Sequence, residues 1–276
     1  EKYRKKNNIY LNHMALYSSE KEVVVNAHQH KALNSLYDAN IDYLNSQRYM
    51  QNEYEKTEQY TVHARTLDSI YPDNNIHFLK LDTEGSELEI LEGGNNLLTN
   101  SIIGIRSEVF FARLLKAGTN FAELNEYLYE HNFELINFDY DGRGAAKSPF
   151  THTEKFGKIM STDAVWVLKE DLIFNGDREN LEHDIIRLSL FLMLNNATDI
   201  ALNVLLRAVE KEKINFGEYW QDPLFLFLHK KIAILFKEIS YLPSIELNLL
   251  QKTYNQVFDR EFPTLNSFNE SSLLNN

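Results

Sequence analysis

Residues 76–81, IHFLKL, are largely apolar and end in Asp82, and this short run constrains the chain more than any other feature. An apolar run of that length, closed by turn residues, reads as a buried strand. Thr83, Glu84 and Gly85 form the turn, and Gly85 permits a sharp bend or a close backbone approach. Ser86 to Leu91 reads as a helix, with Leu88 and Leu91 on one face and Gly93 or Gly94 as its stop. Strand, acidic turn and helix in this order point to an α/β architecture. In open parallel sheets of that class, ligands collect at the carboxyl ends of the strands.

The neighbouring segments extend the pattern. Residues 8–16 read as a strand running into a loop, 22–26 (EVVVN) as a β-branched strand, and 60–65 (YTVHAR) as an alternating strand. Residues 27–60 are polar and read as an inserted excursion. Thr66 is placed to cap a helical turn over residues 67–70, and Asn120 with Glu123 has the spacing of a capping box. Residues 102–109, 133–138 (FELINF) and 164–168 (AVWVL) supply further strands, with a loop bearing Asp139, Asp141, Arg143 and His152 between the last two. Strands separated by helical segments predict a mainly parallel sheet with helices on both faces. After Asp171 the texture changes. Helical spacing runs through residues 181–194, 199–210, 224–239 and 244–258, with Asp199 placed to cap the second. Two regions are therefore expected: 1–170, with the insertion at 27–60, and a helical region at 171–276. The helical region is a candidate packing or homo-oligomer surface.

Composition narrows the function classes. Hydrophobic residues are 43% of the chain, enough for a real core. The net charge of −12 repels nucleic-acid phosphates, and the densest basic cluster, Lys2, Arg4, Lys5 and Lys6, reads as a solvated end. Nucleic acid is therefore not an expected partner. Cysteine is absent, which removes disulfides and thiolate chemistry and is compatible with a reducing, cytoplasmic setting. No apolar run reaches the roughly 18 residues a transmembrane helix needs.

Asp82 and Glu84 flank one residue at a strand's ligand end, next to a helix N-terminus. Carboxylates there can hydrogen-bond a cofactor, act as general base, or hold a divalent metal with Glu108 as third oxygen ligand. The reading does not require a metal. Glu87 reads as a helix-dipole acid. His13 and His63 stand at strand ends within reach of the same edge. His28 and His30 read as a solvated pair. Arg65 and Arg106 are equally placed to anchor an anionic substrate or to form local ion pairs.

The run FLKLDTEGSELEILEGG, residues 78–94, resembles the signature of FkbM-type methyltransferases. The preceding ARTLDSI, then IIGIRSEVFF, FELINFD and STDAVWVLK, resemble further segments of that family in order, and LNHMALYSSEKEVVV resembles the stretch around its third strand. The resemblance implies a Rossmann-like class I methyltransferase sheet using S-adenosylmethionine. It implies methyl transfer to a hydroxyl of a sugar or small natural product. By position, Asp82 and Glu84 correspond to the acidic motif after strand four, and residues 12–16 to the adenine side. The implied roles are therefore catalytic for Asp82, Glu84 and His13, and cofactor-binding for Asn12, Met14, Ala15, Asp82 and Gly85. Glu108 and Arg106 are candidates for the substrate. The family's glycine-rich loop has no counterpart here, so the sequence is expected to begin near the third strand of a longer product. A catalytically inactive methyltransferase-like scaffold is the alternative. A DEDD-type metal-dependent exonuclease is a weaker one, since LDTEG has the spacing of its first motif but its third acidic motif is not apparent.

Overall fold

The computed structural model describes residues 10–47, 52–139, 142–144, 157–176 and 180–211, together with Lys252 and Asn255. The chain divides into two compact units, Glu1–Trp166 and Val167–Asn276.

In the first unit, β1 (Ala15–Leu16), β2 (Lys21–His28) and β3 (Lys56–Arg65) form a three-stranded sheet in the order β1-β3-β2. β1 runs parallel to β3, and β2 antiparallel to it. The strand expected over 8–16 is thus confined to two residues among those described, while β2 and β3 are longer than their apolar centres.

The polar stretch between β2 and β3 contributes to the core. It holds a 3-10 turn (Lys31–Leu33) and the short helix α1 (Ile41–Asn45), whose N-cap Asn40 accepts from Tyr43 N at 3.3 Å. Ala39, Leu44 and Tyr54 pack in one core cluster with Phe110, Leu114, Leu115 and Met160. Tyrosines read as polar in the sequence, but a tyrosine ring carries a large apolar surface into a core.

The second sheet contains β4 (Phe78–Leu81), β5 (Gly104–Phe110), β6 (Phe133–Phe138), β7 (Gly142–Gly144) and β8 (Lys158–Leu168). Its order is β4-β5-β8-β6, with β7 paired to β8. β4 and β5 are parallel, whereas β7 and β8 are antiparallel. The strands thus fall into two mixed sheets where one mainly parallel sheet was expected.

Between the strands lie α2 (Leu67–Ile70), α3 (Glu87–Glu92), α4 (Asn95–Asn100) and α5 (Phe121–Glu130). Side-chain oxygens satisfy the first amides of three of them. Thr66 Oγ1 accepts from Ser69 N at 3.1 Å and starts α2. Asp68 accepts from Asn96 N and Leu97 N and so satisfies the first amides of α4, which the sequence reading did not foresee. Asn120 and Glu123 complete a reciprocal capping box on α5. Ile90, Leu91, Leu97, Leu98, Leu124 and Leu128 bury the helices' apolar faces, and Trp166 Nε1 donates to Asn125 Oδ1 at 3.0 Å.

The second unit contains α6 (Glu170–Asn175), α7 (Leu181–Leu194) and α8 (Thr198–Glu210). α7 and α8 pack together, and Ile185, Leu188, Leu192, Val204 and Leu205 are fully buried. Asp199 lies inside the first turn of α8, and the N-cap is Ala197. The acid therefore complements the helix dipole and does not cap. The helices expected over 224–239 and 244–258 lie outside the described residues. Among those described, no helix is long and apolar enough to cross a membrane.

Candidate active site

Strand register builds the site. Leu81 of β4 pairs with Ser107 of β5 in parallel, so Asp82, just past the end of β4, stands beside Glu108 of β5. Glu84 joins them: one ligand oxygen from each of the three lies within 4.8 Å of the others. Asp82 is exposed, Glu108 half-buried and Glu84 buried.

The turn that presents Glu84 is fixed from several sides. Glu84 has φ 54° and Gly85 φ 98°, both left-handed. Such a conformation is strained for a side-chain-bearing residue and is held only where the surroundings over-determine it. Ser35 Oγ donates to the Glu84 carbonyl at 2.6 Å, and Thr119 N to the Gly85 carbonyl at 2.9 Å. A Cβ on Gly85 would stand 2.8 Å from Leu115 Cδ1 and 3.0 Å from Gly118 Cα.

Glu87 completes the clamp. Its Oε1 accepts from Thr83 N at 3.0 Å, Thr83 Oγ1 at 2.9 Å and Gly85 N at 3.3 Å. It is 1% exposed, so it is a buried brace for the turn and not the dipole acid expected from sequence. Its position on the first turn of a helix gave the hint, but only tertiary burial shows the role.

Burial, and then the charges of Glu108, Glu87 and Asp82, push the Glu84 carboxyl up to about 8. Two like charges about 4 Å apart near a protein surface repel by about 4 kcal/mol, so the cluster favours a neutral Glu84 at pH 7. Tyr54 is raised too, by burial and then by Glu84 and Glu108, which puts its phenol in the field of the cluster. Glu84 Oε2 is fully buried and has no hydrogen-bond partner.

A second charged group in the same sheet is neutralised. Arg106 Nε donates to Asp163 Oδ2 at 2.8 Å and its Nη2 pairs with Asp139. Lys80 Nζ lies 3.0 Å from Asp163 and 3.3 Å from Asp82. Arg106 is thus engaged by two carboxylates. Arg65 is similarly held by Glu20 at 3.2 Å and the Ser69 carbonyl at 3.0 Å.

Asn12, His13 and Met14 are exposed ahead of β1, and Ala15 pairs with Ala64 in the three-stranded sheet. Asn12 Nδ2 donates to Tyr71 Oη at 3.3 Å. A Cβ on Gly93 would lie 2.3 Å from the Tyr17 carbonyl oxygen, so the segment after β1 closes directly on the end of α3. Neither Gly93 nor Gly94 has positive φ; close approach, not left-handed geometry, is the reason for Gly93. The structure therefore gathers Asp82, Glu84 and Glu108, and places residues 12–15 on the other sheet.

His63 is exposed on β3. His28 is 2% exposed, with Nδ1 2.6 Å from the Leu33 carbonyl oxygen, whereas His30 is exposed, so they are not a solvated pair. His28 and Tyr54 help line a cavity of about 580 Å³ together with Asp38, Lys56 and Lys116. Nothing in residue spacing foretold that cavity, because its walls come from β2, β3 and the loops around them. Asp141 and His152 lie outside the described residues, and of Arg143 only the backbone, in β7, is described.

The model of the methyltransferase FkbM domain matches residues 1–135, which span the acidic turn, β5 and α5. That stretch is similar to the FkbM methyltransferase family. No curated protein and no solved structure matches the chain. The FkbM match covers every residue of the acidic cluster, so the cluster lies inside the methyltransferase domain.

Proposed function

We propose that the protein is an S-adenosylmethionine-dependent methyltransferase that methylates a hydroxyl oxygen on a sugar or small natural product. The observation that carries this reading is the set of three carboxylates where β4 ends beside its parallel neighbour β5, inside the stretch that the FkbM domain matches. That end is where open α/β sheets bind their ligands. The order β4-β5-β8-β6, with α5 preceding β6, supports a Rossmann-like arrangement.

The residues present fit the acceptor side better than the nucleotide side. Gly93 and Gly94 stand between two helices, and Gly142 and Gly144 within a strand, so neither pair forms a phosphate- or nucleoside-cradling loop. The bound cofactor would supply the methyl group as a sulfonium. The protein's own residues position the acceptor hydroxyl and receive its proton, with Asp82, Glu84 or His13 as acceptor. Where Glu84 is ionised, its raised pKa gives the carboxylate a basicity suited to that transfer.

The competing reading is a methyltransferase-like scaffold, favoured by the placement of the glycines. Transfer of labelled methyl from S-adenosylmethionine to a panel of hydroxyl acceptors separates the two. Turnover that falls by about 100-fold or more in Asp82→Asn supports the enzyme. Full turnover in that folded variant removes Asp82 from the reaction, and no turnover on any acceptor favours the scaffold.

A further inference from the structure

Three acidic side chains alone do not make a site, since exposed carboxylates often cluster without a ligand. Glu84 differs from that case. It is 7% exposed, its Oε2 is buried without a hydrogen-bond partner, and it points into the space shared with Asp82 and Glu108. Of the cations nearest in sequence, Lys80 pairs with Asp163 and with Asp82 of the cluster itself, and Arg106 with Asp139 and Asp163. A buried carboxylate oxygen without a partner is costly, and the fold spends several contacts on holding it in place.

We propose that Asp82, Glu84 and Glu108 bind one hard divalent cation of the calcium or manganese class. The donor set is all oxygen, which selects hard cations over zinc or copper. Oxygens on opposite sides of calcium stand about 4.6–5.2 Å apart, and those across magnesium about 4.0–4.2 Å. The three oxygens lie within 4.8 Å of one another, inside the span of the larger ion. Glu84 closes the buried side and the exposed Asp82 leaves an open side for water or an oxygen ligand. Lys80 approaches Asp82 Oδ2, which leaves Oδ1 to the ion. This inference rests on geometry and does not depend on methyl transfer.

The alternative occupant of the same space is a proton held by Glu84. The test is titration of Mn²⁺ into the chelator-treated chain, followed by electron paramagnetic resonance of the free ion, with Ca²⁺ and Mg²⁺ as competitors. One Mn²⁺ should bind per chain and be displaced by Ca²⁺ at lower concentration than by Mg²⁺. Glu84→Gln and Glu108→Gln should each weaken binding by about tenfold or more, and the exposed Asp73→Asn should not. Amide exchange over residues 82–85 of the unaltered chain gives a second readout that does not need a folded Glu84 variant, and it should slow with the ion. No saturable Mn²⁺ binding, binding unchanged in Glu84→Gln and Glu108→Gln, or exchange indifferent to the ion would each overturn the proposal.

Discussion

Asp163 and Glu84 are both buried carboxylates of the same unit, 6% and 7% exposed, and they are treated in opposite ways. Asp163 receives Lys80 and Arg106, and Arg106 also reaches Asp139. Glu84 receives no cation and faces two more carboxylates. The first group is a closed ion-pair network that holds β4, β5 and β8 together. The second is an open charge problem maintained by a strained turn. Folds leave such problems where a ligand resolves them, so the difference separates structure from site within one sheet.

The comparison breaks if removing a member of each group has the same sign. Arg106→Ala strands Asp163 with Lys80 alone and should destabilise by roughly 2–3 kcal/mol, read as a lower urea midpoint. An unchanged midpoint would mean that the network is ornamental.

Glu84→Gln should act the other way in chelated buffer. Burial and the neighbouring carboxylates raise the Glu84 carboxyl from its ordinary 4.5 to about 8. Between those values the folded state holds a proton that the unfolded state has lost, so stability falls as pH rises. It falls by at most about 1.4 kcal/mol per pH unit, and the fall ends above the folded pKa. Glu84→Gln should remove that slope and be the more stable protein at pH 8. A slope that survives in the variant would place the proton elsewhere.

The smallest effect belongs to a charge group outside the sheets. Arg207 pairs with Glu170 at 2.9 Å and with the exposed Asp171. Arg207→Gln should change stability by less than about 1 kcal/mol. A larger loss would show that exposed networks here count as much as the buried one.

The two groups also differ in how much the sequence revealed. Local chemistry was readable wherever neighbours in sequence decide the outcome. The strand Phe133–Phe138, the helix Leu181–Leu194, the Thr66 cap and the Asn120–Glu123 box all follow from short-range rules. Asp82 and Glu84 stood out as strand-end acids, and Glu108 as a third oxygen, because parallel strands end together. What required the fold was the buried state of each group. The Arg106–Asp163 pair spans 57 residues of chain, and either an ion pair or a substrate anchor was equally consistent with Arg106 in sequence. Glu87 looked like a first-turn acid until its oxygen was seen to hold Thr83 and Gly85. The segment 27–60 read as a polar insertion because its core contribution comes from a few residues, Ala39, Leu44 and Tyr54, scattered among polar ones.

The most direct test of the central claim is calorimetric titration of S-adenosylmethionine and S-adenosylhomocysteine into the protein as its native gene encodes it, alongside Asp82→Asn and Arg207→Gln. The account predicts saturable binding in the unaltered protein, weakened by about tenfold or more in Asp82→Asn and unchanged in Arg207→Gln. No binding of either compound to the unaltered protein would contradict the methyltransferase reading and leave the FkbM domain as a scaffold.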